Sequence, residues 1–188
     1  EISPYVIQAT IATEDASFYE NQGVNIRGIA RAAWNNVSKQ EAVQGGSSIT
    51  QQLVKNVFIP EPERAKQSLD RKVKEVALSL ELTRRFTKDQ ILQFYLNELN
   101  YGNLSYGIET AAQSYFAKTA TDLTLAEASM LAGIPQLPAV YSPLVDLVAA
   151  KHRQGQVLDL MVRHDFITQT EADAAREEEL EYRVAKFD

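Results

Sequence analysis

Apolar residues recur at helical spacing along almost the whole chain. Ser3 followed by Pro4 has the form of a helix start, an N-cap with Pro at the first helical position. The run Tyr5 to Ala12 then carries that helix to Thr13-Glu14-Asp15. A second helix is predicted after Asn25, spanning Ala30 to Val37, and Lys39 to Gly46 reads as a loop. From Ser48 a helix should run through Gln52 and Lys55. Pro60 and Pro62 interrupt the pattern before a long helix from about Arg64 to Arg85. Its apolar stripe is Leu69, Val73, Val76 and Leu80, steps of four, three and four that lie on one face. Thr87 with Gln90, Thr124 with Glu127 and Thr168 with Glu171 have capping-box spacing and mark three later helix starts. No alternating run is long enough for a strand. A short extended pair near Tyr101–Tyr106 or Pro138–Pro143 is the most β-structure the pattern allows. The expectation is a mostly α single domain over residues 1–188.

Composition narrows the chemistry more than the fold. The 188 residues are 45% hydrophobic and 23% charged, as in ordinary globular proteins. With no cysteine, disulfides, thiolate nucleophiles and zinc–thiolate sites are excluded. His152 and His164 are the only histidines, too few for a His-rich metal cluster. A net charge of −6 argues against general nucleic-acid binding, so any bound anion must meet a local cluster of Lys and Arg. No apolar stretch approaches the roughly 20 residues that span a bilayer. The chain opens at Glu1-Ile2-Ser3-Pro4 without an initiator Met and reads as a domain excised from a longer protein. Trp34 and the Phe94/Tyr95 pair read as core, both histidines as surface, and Glu177-Glu178-Glu179 as a solvated helix end.

Three segments could carry chemistry. The first is Thr13-Glu14-Asp15-Ala16-Ser17-Phe18, two acids closing an apolar helix. Partial desolvation there would raise a carboxyl towards the pKa of a general base, whereas an ordinary helix-end acid is merely solvated or capping. The second is Gly45-Gly46-Ser47-Ser48-Ile49-Thr50-Gln51-Gln52-Leu53-Val54-Lys55-Asn56. Glycines leading into a helix N-terminus offer N–H groups to an anion, and Ser48, Gln52 and Lys55 form one polar row. A capped surface helix is the alternative; a Walker loop is excluded because Gly-Lys-Ser/Thr is missing. The third is Arg71-Lys72-Val73-Lys74-Glu75, where two cations and a carboxylate share a helix face and could hold pyrophosphate. Such pairs also decorate solvated helices.

Taken in order, these segments resemble glycosyltransferase family 51, the peptidoglycan glycosyltransferases. Ala12 to Glu20 looks like the first family motif, Gly46 to Asn56 the second, and Arg71 to Glu75 with Leu82 the third. Tyr95-Leu96-Asn97-Glu98 through Tyr101-Gly102, then Tyr106 to Ala112 and Tyr115-Phe116, resembles the fourth. Ala126-Glu127-Ala128 to Pro138, with Tyr141-Ser142-Pro143, resembles the fifth. The sequence departs from the family pattern at Asn21, Asn25, Gln67 and Asn100.

The resemblance implies a lysozyme-like α fold and glycan-strand polymerisation at a membrane surface. Glu14 would be the catalytic base and Glu75 a second catalytic carboxylate. Asp15, Phe18, Ser47, Ser48, Gln51, Gln52, Lys55, Asn56, Arg71, Lys72 and Asn97 would bind substrate or pyrophosphate. Glu75 would order the cations or share a divalent metal, Mg²⁺ or Mn²⁺, with the pyrophosphate; no organic cofactor is implied. Lipid II and the growing glycan strand are the implied substrates, and moenomycin-type phosphoglycolipids the implied inhibitors. The family further implies an N-terminal transmembrane anchor, the extracytoplasmic face of the bacterial cytoplasmic membrane, and in bifunctional relatives a C-terminal transpeptidase domain. A lysozyme-like hydrolase or lytic transglycosylase is the enzyme alternative, but its neutral leaving group has no use for Lys55, Arg71 and Lys72. A catalytically silent module that binds lipid-linked glycan is the alternative outside enzymes.

Overall fold

The computed structural model describes residues 1–25, 47–64 and 68–183. Ten α-helices and one 3₁₀ turn are found among the described residues, and β-structure there is limited to one antiparallel bridge, Asn100 with Tyr106. That bridge is the short β element expected near Tyr101–Tyr106. The other expected extended segment is helical instead: Pro138 sits at the first position of a one-turn helix, where its fixed φ suits the α conformation. The expected Ala30–Val37 helix with Trp34, the Lys39–Gly46 loop and Gln67 lie outside the described residues. The chain divides into two compact units, one of Glu1–Thr13 with Leu99–Asp188, the other of Glu14–Glu98.

The first unit contains α1 (Pro4–Glu14) up to Thr13, then α6 (Ile108–Phe116), α7 (Leu125–Gly133) and the 3₁₀ turn Ile134–Gln136. It continues with α8 (Pro138–Tyr141), α9 (Leu147–Arg163) and α10 (Gln169–Glu177). Ser3 stands at the cap position of α1, but its hydroxyl donates to the Leu123 carbonyl at 3.0 Å, so it ties down the chain's start instead of capping. The core joins Ala9 and Ala12 of α1, Ala126 and Ala132 of α7, and Val157, Leu158 and Met161 of α9 to Ala172 and Ala175 of α10. Small residues on α1, α7 and α10 let these helices approach the larger side chains of α9, at about 0.8 kcal/mol for each methylene buried. Both predicted capping boxes in this unit are present, Thr124 with Glu127 and Thr168 with Glu171.

The second unit holds α2 (Ile49–Phe58), α3 (Glu61–Arg64), α4 (Leu69–Arg85) and α5 (Lys88–Glu98). Ser48 caps α2 in a reciprocal box with Gln51, and Thr87 with Gln90 opens α5. The long helix begins at Leu69, not near Arg64, because the Ser68 hydroxyl accepts from the Arg71 N–H and fixes the start there. Buried Ile49, Leu53 and Val54 of α2 and Ile91, Leu92, Tyr95 and Leu96 of α5 supply the core.

Helix α4 reverses the usual rule. Its polar side is turned in, with Glu75 and Ser79 buried, while Leu69 is 86% and Val73 67% exposed. The stripe that the sequence pattern identifies is real as a stripe, but it faces solvent, Val76 alone being half-buried. Periodicity reports that a helix has two faces; it does not report which one the protein buries.

Candidate active site

Glu14 is the last residue of α1 and is half-buried. One of its oxygens, Oε2, accepts a hydrogen bond from Gln52 Nε2 at 2.9 Å. Gln52 lies one turn into α2, so the cap that starts α2 sets how far its amide reaches. On its other side Gln52 Oε1 accepts from the Tyr95 hydroxyl at 2.9 Å. No described residue donates to the second oxygen of Glu14, which leaves it free to take a proton.

Asp15, next in sequence, is placed differently. It is 3% exposed and accepts from Ser17 Oγ at 3.0 Å, Asn21 Nδ2 at 2.8 Å, Asn25 Nδ2 at 3.3 Å and the Ile49 backbone N–H at 3.3 Å. The carboxylate therefore gathers the loop after α1 onto the first turn of α2, where the helix dipole favours negative charge. Asn21 takes part directly: Gly23 N and Lys88 Nζ both donate to its Oδ1, at 2.9 and 3.0 Å. Lys88 also stands 4.5 Å from the centre of the Phe18 ring. Burial lowers the Lys88 pKa from its ordinary value, against the opposing pull of Asp15. Phe18 itself is buried, so the structure places it in packing. The sequence offered no sign of Lys88, which opens a helix 67 residues after the Asn21 it braces.

The loop closes on Gly23, whose φ is +89°. A Cβ there would lie 2.3 Å from Thr83 Oγ1 and 2.7 Å from the Ser79 carbonyl oxygen, so only glycine fits against α4. The Gly23 carbonyl accepts from Ser48 Oγ at 2.5 Å. Ser48 and Gln51 are thus occupied by the cap and the loop, and both are buried.

The cations gather on α4. Lys72 Nζ is 3.2 Å from Glu75 Oε2 and donates to Ser47 Oγ at 3.1 Å. Arg71 Nε is 3.1 Å from Glu75 Oε1, close as an ion pair although its N–H does not aim at that oxygen, and the guanidinium also donates to the Arg64 carbonyl. Glu75 is almost fully buried between the two. A buried carboxylate needs this company, and in return it holds two flexible side chains in place. Lys55 and Asn56 are half-buried near the end of α2, and no described residue pairs with Lys55. Asn97 is exposed on the last turn of α5. The second unit accordingly brings Glu14 to Gln52 and gathers Ser47, Arg71, Lys72 and Glu75 into one cluster.

Against known proteins, residues 1–162 match the family model described as Transglycosylase. The chain is 44% identical over 178 residues to penicillin-binding protein 1A of Escherichia coli K12, covering 95% of this chain and 20% of that protein. It is 42% identical over 182 residues to penicillin-binding protein 1A of Neisseria gonorrhoeae, covering 96% and 22%. A crystal structure of penicillin-binding protein 1A from Haemophilus influenzae aligns over 72% of this chain and 16% of that one, with 28% identity and a TM-score of 0.49. The chain spans about a fifth of the length of the relatives it matches. The family model over most of the chain and the two curated relatives settle the assignment: this chain belongs to the transglycosylase family.

Proposed function

We propose that this domain polymerises peptidoglycan glycan strands, with Glu14 as the general base. The observation that carries the reading is the half-buried Glu14 carboxylate, held through one oxygen by Gln52 and met at the other by no donor among the described residues. Its free oxygen takes the proton from the 4-hydroxyl of the acceptor GlcNAc of lipid II. That oxygen attacks the anomeric carbon of the donor MurNAc from the side opposite the pyrophosphate. A β-1,4 bond forms with inversion, and undecaprenyl pyrophosphate leaves.

The leaving group gathers negative charge as the bond breaks. Arg71 and Lys72, fixed by Glu75, and Lys55, which pairs with no described residue, supply compensating charge for the leaving group. The donor set does not suit a resident metal. No group of three His, Cys, Asp or Glu side chains comes together among the described residues, and two cations already flank Glu75. Those cations fill the role that Mg²⁺ or Mn²⁺ would take.

The same reading sets the domain at the outer face of the bacterial cytoplasmic membrane, and relatives about five times its length leave room for a membrane anchor and a transpeptidase domain. None of the described helices is long and apolar enough to cross a membrane. The outward stripe of α4 supports contact with the membrane surface, and phosphoglycolipids that mimic the donor would occupy the same cations.

Polymerisation of fluorescent lipid II in detergent tests the reading. The parent protein should give glycan ladders, and Glu14→Gln should lose at least about a hundredfold in rate while melting normally. Ladders of parental intensity from Glu14→Gln would remove the base from Glu14. No ladders from lipid II, together with cleavage of added pre-formed glycan strands, would point to a hydrolase.

A further inference from the structure

The hydrogen bonds at Glu14 do not end at Gln52. A glutamine amide has two nearly interchangeable ends, and its neighbours decide which end faces which partner. An ionised carboxylate only accepts, so Gln52 must turn its NH₂ towards Glu14. The amide oxygen then faces Tyr95, whose hydroxyl must donate. The whole run is therefore directional: Tyr95 O–H to Gln52 Oε1 at 2.9 Å, then Gln52 Nε2 to Glu14 Oε2 at 2.9 Å.

The two links differ in stiffness. Tyr95 is 1% exposed, and its ring is fixed in the packing of α5 against α2. Gln52 is only half-buried and turns about three side-chain bonds. A rigid phenol thus pins a flexible amide at the point where the amide grips the base. Bonds in such a chain also polarise one another, so loss of the first weakens the second.

We propose that Tyr95 is a positioning residue for the base, acting through Gln52 to fix which oxygen of Glu14 is held and which is presented to the acceptor hydroxyl. This rests on the reading of Glu14 as the base. Tyr95 touches neither substrate nor the reacting atoms in this scheme. Its hydroxyl is what the reaction uses, while its ring serves the core.

The test is a double-mutant cycle of the parent, Tyr95→Phe, Gln52→Ala and the double variant, with kcat and KM for lipid II polymerisation and a thermal melt for each. Tyr95→Phe should lower kcat roughly tenfold at nearly constant KM, the loss of about one hydrogen bond. In the Gln52→Ala background, Tyr95→Phe should cost nothing more, because the path to Glu14 is already cut. Independent losses that multiply in the double variant, or parental kcat in Tyr95→Phe, would overturn the proposal. Should Tyr95→Phe fail to fold, 4-aminophenylalanine at position 95, which keeps a donor on the same ring, carries the test. Near-parental kcat there supports the proposal, and a tenfold loss in folded protein overturns it. Glu14→Gln run alongside separates the two levels: an active Glu14→Gln defeats the base itself, whereas an inactive Glu14→Gln beside a fully active Tyr95→Phe defeats only Tyr95.

Discussion

Gly23 shows how much of this site depends on residues that carry no chemistry. A methyl group at that position would meet the Ser79 carbonyl, which belongs to a helix backbone and cannot swing aside. It would also have to be accommodated at φ +89°, outside the range L-residues favour. Gly23→Ala should therefore lower the melting temperature by several degrees, a loss on the order of 1–3 kcal/mol, and reduce activity with it. A melt indistinguishable from the parent would show that the loop can leave α4 at no cost. The Ser48 hydroxyl serves both the cap of α2 and the Gly23 carbonyl. Ser48→Ala should cost about 1–2 kcal/mol, which a urea titration would read as a lower midpoint with an unchanged slope. In the sequence Ser48 was legible as a helix start, but its second bond was not, because the partner lies 25 residues away in a loop.

Element by element, the capping boxes were readable, whereas the role of Ser3 and the facing of α4 were not. The predicted boxes at Thr87, Thr124 and Thr168 follow from local hydrogen bonding over three residues, and each forms as the spacing requires. The grouping of Arg71, Lys72 and Glu75 follows equally from helix geometry. The orientation of α4 does not, since it depends on what the polar face finds to pair with. Glu75 and Ser79 lie inward, where Lys72, paired to Glu75, reaches Ser47 at 3.1 Å and the Gly23 turn packs directly on Ser79 and Thr83. Leu69 and Val73 are left outside. A Leu69→Glu, Val73→Glu double variant should keep the parental melting temperature and lose binding to lipid vesicles, as measured by flotation. A large drop in melting temperature would mean that these residues pack in solution, and undiminished flotation would place membrane contact elsewhere. Phe94 and Tyr95 were read together as core; Tyr95 is, whereas Phe94 is 41% exposed, and nothing in a helical stripe tells a ring that only packs from one whose hydroxyl reaches a functional amide.

Across the whole molecule, burial raises the pKa of three described tyrosines, Tyr19 in the second unit and Tyr115 and Tyr182 in the first. Burial, then the hydrogen bond and charge of Asp89, raise Tyr19 in the second unit from 10.0 to about 12. Burial alone raises Tyr182 in the first unit to about 12. Both are raised, so folding favours the protonated phenol. That contribution is complete below pH 10 and disappears as pH climbs towards 12. Absorbance titration of Tyr19→Phe and Tyr182→Phe should each show one fewer tyrosine in the pH 12 step, and loss of an early step instead would refute the assignment. The contrast between Glu14 and Asp15 has a consequence for genetics. A screen that scores survival alone will return both codons as intolerant of change and invite the conclusion that the two acids share one task. Their surroundings predict different casualties, a stable but inert product from the first lesion and scarce, protease-sensitive product from the second. Suppressors of the second should arise from mutations that raise stability anywhere in the unit, while no such background restores the first.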